Sequence, residues 1–169
     1  RAAQAYSLDD VAIVPNRRTR DPHDVSVKWQ IDAYAFDTPI IGAPMDSVMS
    51  PATAIALGKL GGLGVLNLEG LWTRYEDPTK VLEEIAALKS ADGGHFDPAI
   101  TRRLQELYSA PIVPELITAR LAEIRESGVT VAGSLTPQRT QEHYKTVVAA
   151  GVDVFVIRGT TVSAEHVSK

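Results

Sequence analysis

Four short apolar runs punctuate the chain: Ile40–Ala43, Leu63–Leu66, Val129–Gly133 and Val154–Ile157. None alternates strictly between apolar and polar positions, the pattern of strands covered on both faces. Helical spacing fills the intervals. Ile117, Leu121 and Ile124 fall on one predicted helix face, and Tyr144, Val147 and Val148 on another. The helix starts repeat one device. Ser50-Pro51, Asp77-Pro78, Asp97-Pro98 and Thr136-Pro137 each set a side-chain oxygen at the N-cap and proline at the first helical position, where a missing N–H costs nothing. Gly61, Gly128 and Gly151 follow helical segments and suit a left-handed stop. Helices alternating with parallel-type strands predict an α/β fold.

The first two predicted strands, like the last two, begin roughly 23 residues apart, near the repeat of a βαβ unit. The second and third are separated by a longer interval, 75–128. It is predicted to hold helices near Pro78–Lys89, Pro98–Tyr108 and Pro114–Ser127, with a Gly-rich loop at Ser90–Gly94 as a mobile spacer or lid. Residues Val162–Lys169 begin a further helix with no stop signal. Four βα units are half of a TIM (β/α)8 barrel, which takes about 250 residues. Residues 1–169 are therefore expected to be the N-terminal portion of one such catalytic domain. A four- or five-stranded open α/β sheet is the alternative.

Composition narrows the classes without naming one. Of 169 residues, 44% are hydrophobic and 22% charged, ordinary globular values. A net charge of −4, with only Arg17–Arg20 as a basic run, gives no footprint for nucleic acid or an anionic membrane. No run approaches the roughly 20 apolar residues of a membrane helix. The start, Arg1–Tyr6, has neither an initiator Met nor a hydrophobic signal core, so a soluble, cytoplasmic protein is expected. Cysteine is absent, which removes disulfides, Cys-ligated zinc and a thiol nucleophile from these residues. His23, His95, His143 and His166 show no metal-ligand spacing, and no Gly-x-Ser-x-Gly elbow or P-loop occurs.

Candidate chemistry concentrates at the C-terminal ends of the predicted strands, the catalytic rim of a barrel. Gly58, Gly61, Gly62 and Gly64 do not form a dinucleotide fingerprint, because they precede the strand and the last required glycine is Asn67. The loop Ala43-Pro44-Met45-Asp46-Ser47 follows the first strand. Met45 there either offers a polarizable surface to a base or fills core while Asp46 or Ser47 satisfies the turn. Asn67, Thr136 and Arg158-Gly159-Thr160 end the other three strands. Arg158 can bind an anion bidentately or pair with Glu165, and Thr160 can bind or cap.

Longer motifs carry a resemblance. Tyr6-Ser-Leu-Asp-Asp-Val-Ala-Ile-Val-Pro15 is similar to the N-terminal signature of the IMP dehydrogenase/GMP reductase family. Pro39-Ile-Ile-Gly-Ala-Pro-Met-Asp-Ser-Val48 and Gly61-Gly-Leu-Gly64 follow at the right separation. Ala149-Ala-Gly-Val-Asp-Val-Phe-Val-Ile157 resembles the family's fourth-strand segment. The resemblance spans nearly all of the chain except 75–125. That stretch is too short for the CBS domains of many members, so the chain resembles the CBS-less, actinobacterial-type paralogues, with 75–128 a helical insertion in their place.

The family resemblance implies a homotetrameric barrel that binds a purine nucleotide (IMP, GMP or XMP) and NAD or NADP, often with a monovalent cation such as K+. Its nucleophilic cysteine lies after the sixth strand, beyond Lys169, so no catalytic residue is expected here and the segment alone is expected to be inactive. Met45 matches the family methionine that lies against the nucleotide. Ala43 stands where human-type dehydrogenases place a serine, and Asn67-Leu68-Glu69 replaces a basic, His-containing run. Ala43, Met45, Asp46 and Asn67 are thus the substrate-side candidates. Arg158, Gly159 and Thr160 are the cofactor-side candidates; they replace an Asp-Ser-Ser-like run and reverse its charge. The implied reaction is IMP dehydrogenase-like, with GMP reductase or a nucleotide-binding paralogue without turnover as alternatives.

Overall fold

The computed structural model describes residue 4, residues 6–15, residue 18, residues 20–87 and residues 98–159. Strands β1 (Trp29–Ile31) and β2 (Tyr34–Phe36) form an antiparallel hairpin turned through Asp32 at φ 49°. Then come β3 (Ile41–Gly42), α1 (Pro51–Lys59), β4 (Leu63–Asn67), α2 (Pro78–Ala87), α3 (Pro98–Ser109), α4 (Pro114–Glu126), β5 (Ala132–Leu135), α5 (Pro137–Ala149) and β6 (Val154–Ile157). Strands β3 to β6 pair in chain order, all parallel, with Gly42 beside Gly64, Val65 beside Ala132 and Ala132 beside Val154. Consecutive parallel strands joined by helices are the arrangement of four successive βα units of a (β/α)8 barrel.

Local chemistry sets the element ends. Ser50 Oγ accepts from the Thr53 N–H at 3.0 Å while Thr53 Oγ1 accepts from the Ser50 N–H at 2.6 Å, a reciprocal cap on α1. Thr136 caps α5, and Pro114 opens α4 after Val113 without a side-chain cap. Asp77 pairs with Lys80 at 3.2 Å at the start of α2; Asp97 lies outside the described residues. Gly61, Gly128 and Gly151 have φ of 83°, 80° and 75°, as a left-handed stop requires.

The sheet has two differently covered faces. On one, Leu66, Val131 and Leu135 pack with Ile117, Leu121 and Ile124 of α4 and Val147 of α5. On the other, Leu63, Val65 and Ala132 meet Phe36, with Trp29, Ile31 and Tyr34 of the hairpin against them. Trp29 stacks on Phe36 with ring centroids 4.7 Å apart. Asp153 fastens the hairpin to this end of the sheet: its Oδ2 accepts from the Val131 N–H at 2.8 Å and its Oδ1 from the Tyr34 hydroxyl at 3.3 Å.

Three details depart from the sequence reading. The third parallel strand runs Ala132–Leu135 instead of Val129–Gly133. Val129 packs across α1, where a Cβ on Gly58 would lie 2.7 Å from its own, and the Val131 N–H is taken by a side chain. Of the predicted face on α5 only Val147 is buried; Tyr144 and Val148 face outward. The hairpin itself was not among the predicted elements.

Candidate functional site

The rim holds a pocket of about 310 Å³, shared between strand ends and helices α2 and α3 of the long interval. Pro44, Met45, Asp46 and Ser47 after β3, Asn67 and Leu71 at and after β4, and Arg158 after β6 line one part. Leu82 and Ile85 of α2, with Leu104 and Tyr108 of α3, line the rest. The walls are mainly apolar with a few placed polar groups, the usual constitution of a small-molecule site.

Met45 is 52% exposed although its backbone is held: its N–H donates to Ala43 at 2.8 Å, and its carbonyl accepts from Met49 at 2.7 Å. The thioether is thus presented by a fixed turn and is not consumed as core. Asn67 is 8% exposed at the end of β4, and its Oδ1 accepts from the Glu69 N–H at 3.1 Å. Asn67 pairs in register with Ser134, whose hydroxyl is buried without a partner among the described residues. Arg158 reaches back across the rim, with Nη1 donating to the Pro44 carbonyl at 3.0 Å.

Asp46 is turned inward against the protein. Its Oδ2 accepts from the Leu71 N–H at 3.0 Å and from the Tyr108 hydroxyl at 2.7 Å. Its Oδ1 is buried against Gly70, where a Cβ would come within 1.9 Å of it. The carboxylate therefore joins the loops after β3 and β4 to helix α3.

Beside it, Glu69 accepts from the Thr136 N–H, and Arg74 donates to the Glu69 carbonyl at 2.9 Å and to the Ala110 carbonyl. Burial, reinforced by the Arg139 guanidinium, lowers the Arg74 pKa from its ordinary value, while Glu69 and Asp46 oppose that shift. Burial and the adjacent Asp46 push the Tyr108 phenol up. No group of three or more potential metal ligands occurs among the described residues.

Of the residues singled out in the sequence, Met45, Asp46, Asn67 and Arg158 converge on this pocket. Ala43 and Gly159 are exposed near it without lining it, and Thr160 lies outside the described residues. The lining residues the sequence did not offer are Leu71, after β4, and, on α2 and α3, Leu82, Ile85, Leu104 and Tyr108. The amphipathic spacing of the last four marks helices but does not say what the apolar face covers. No helix among the described residues is long and apolar enough to cross a membrane.

Comparison with known proteins fits this geometry. The chain is 49% identical over 168 residues to an uncharacterized oxidoreductase of Mycolicibacterium smegmatis, covering 99% of this chain and 44% of that protein. It is 36% identical over 91 residues to the inosine-5'-monophosphate dehydrogenase of Methanocaldococcus jannaschii, covering 54% of this chain and 17% of the relative. A crystal structure of an IMP dehydrogenase/GMP reductase-like protein from Corynebacterium glutamicum superposes with a TM-score of 0.87 at 46% identity, covering 98% of this chain and 44% of that one. The chain thus spans less than half the length of these relatives. Residues 5–169 match the IMP dehydrogenase / GMP reductase domain, and the chain belongs to that family.

Proposed function

We propose that the rim pocket receives a purine nucleotide and that the whole protein is an IMP dehydrogenase-like oxidoreductase, converting IMP and NAD to XMP and NADH. The convergence of Met45, Asn67 and Arg158 on one pocket, in a member of this family, carries the reading. The donor set fits such a ligand. Met45 offers a polarizable face to a flat base, and Asn67 is a half-engaged amide at the pocket floor. Asp46 acts from behind, by fixing the loop that presents Met45. Ala43, at the mouth, leaves room without adding a hydroxyl contact.

Arg158, Gly159 and Thr160 are proposed to face the dinucleotide, NAD or NADP, which when bound supplies the hydride acceptor or donor. A guanidinium there favours a phosphate or a carbonyl group over a cation. The thiol nucleophile and any monovalent cation site are assigned to parts of the protein outside 1–169, which alone is expected to be inactive. The interval 75–128 is read as a helical insertion that replaces CBS domains. A cytoplasmic homotetramer without nucleic-acid or membrane partners completes the proposal.

Purified full-length protein tests it directly. IMP with NAD is expected to raise nicotinamide absorbance, with calorimetric binding of IMP. Consumption of NADPH with GMP instead assigns the reductase direction. Nucleotide binding without hydride transfer assigns a paralogue that has lost turnover. No nucleotide binding and no absorbance change overturns the reading.

A further inference from the structure

Helix α3 is fastened at the rim by polar contacts in its last turn and just past its C-terminal end. The Tyr108 hydroxyl donates to Asp46 at 2.7 Å, the Tyr75 hydroxyl donates to the Leu107 carbonyl at 2.8 Å, and Arg74 donates to the Ala110 carbonyl. Leu104 and Tyr108 stand four residues apart, so they share a helix face, and both line the pocket. Leu82 and Ile85 of α2 line it beside them. The two helices are therefore a wall of the pocket and not merely a connection between β4 and β5.

The contact at Asp46 differs from the other two in what it controls. Asp46 directly follows Met45, and its carboxylate is gripped by the Leu71 N–H, the Tyr108 hydroxyl and the close approach of Gly70. Hydrogen bonds to an ionised carboxylate are about twice as strong as neutral ones. The raised phenol keeps the Tyr108 proton in place as a donor across the ordinary pH range. Without that donor, the Leu71 amide would be the one hydrogen-bond donor left to Asp46 among the described residues, and the Met45 turn would lose its link to α3.

We propose that Tyr108 is a positioning residue of the rim site: its hydrogen bond to Asp46 fixes the loop that presents Met45 and seats α3 as the wall facing the bound base. The inference rests on the pocket being the nucleotide site proposed above.

The test uses the full-length protein with Tyr108→Phe, which keeps the ring in the wall and removes only the donor. Three readouts separate positioning from bulk stability: nucleotide Kd by calorimetry, the split between KM and kcat, and amide exchange at Leu71 and Met45–Met49. Expected are a roughly tenfold rise in Kd and KM, a loss that falls on KM more than on kcat, and faster exchange at Leu71. Asp46→Asn keeps an oxygen for both donors but drops the charge, and is expected to shift the same readouts less. It also serves if Tyr108→Phe does not fold. Wild-type Kd together with wild-type exchange at Leu71 overturns the proposal, as does a loss confined to kcat or to thermal stability. If the unaltered protein binds no purine nucleotide, the functional reading fails on its own, while the exchange at Leu71 still decides whether Tyr108 holds the loop.

Discussion

Gly70 is the residue on which the Asp46 joint depends. A methyl group there would lie 1.9 Å from Asp46 Oδ1, an oxygen that is buried without a hydrogen-bond partner among the described residues. Gly70→Ala must therefore push the carboxylate off the Leu71 N–H and the Tyr108 hydroxyl. The expected cost is about 1–3 kcal/mol, from donors left without an acceptor. It is read as a lower denaturation midpoint of the full-length protein, with weaker nucleotide binding beside it; an unchanged midpoint and affinity would show that the joint is dispensable. Asp153 makes the corresponding joint at the other end of the sheet, holding Val131 and Tyr34 with Arg125 at 3.6 Å. Burial, then Asp153, raises the Tyr34 phenol above its ordinary value of 10.0. The unfolded chain then releases the phenol proton first. The contribution to stability is full below pH 10.0 and is lost as pH rises beyond it. Tyr108 is shifted in the same direction by burial and Asp46. Denaturation midpoints taken between about pH 9 and about pH 11 should fall, and Tyr34→Phe should flatten the fall.

At the scale of elements, the helix stops can be ranked by what surrounds them. Gly128 and Gly61 share a left-handed backbone at φ 80° and 83°. A Cβ at Gly128 meets nothing within 4 Å, whereas one at Gly61 comes 2.8 Å from the Asp37 Cβ. Gly128→Ala is thus expected to cost only the backbone term, about 1–2 kcal/mol, and Gly61→Ala distinctly more. Urea titrations of the two variants check the order, and equal losses would contradict it. These stops, like the Ser50 and Thr136 caps, were legible because their chemistry is local: a proline, a short side-chain oxygen and a glycine act within one turn. Strands β4, inside the sheet, and β6, at its edge, were legible because covering both faces leaves unbroken apolar runs. The hairpin was not, since its three-residue strands are too short for a period and its turn uses Asp32 instead of glycine. Nor was the late start of β5, which a side chain from beyond α5 determines. At the site, Met45, Asn67 and Arg158 could be nominated because strand ends share a rim. Tyr108 could not, since it meets Asp46 across 62 residues and nothing in the spacing of α3 announces that contact.

The molecule as a whole is governed by what its sheet leaves open. Strands β3 and β6 are the two edges of the four-stranded sheet, so each carries a row of backbone groups with no strand beyond it among the described residues. Ile41 on one edge and Ile157 on the other are 53% and 58% exposed. The hairpin covers the second face only through Phe36 and its neighbours. Parallel sheets are stable when both faces are covered, and open apolar edges are templates for pairing with another chain. Residues 1–169 produced alone should therefore associate, giving scattering and sedimentation above the 18.2 kDa of one chain. Dye binding to exposed apolar surface should accompany the association. If, as proposed above, the chain is part of a longer (β/α)8 domain, adding the rest of that protein as a separate polypeptide should suppress both signals by pairing strands with β3 and β6. A monodisperse 18.2 kDa species without dye binding would show instead that the four βα units close their own surface. The outcome bears on the pocket too. Met45, Asn67 and Arg158 sit on strand ends whose spacing depends on the curvature of the sheet, and closing both edges is what fixes that curvature. Nucleotide affinity should consequently appear in the recombined pair before it appears in the isolated segment.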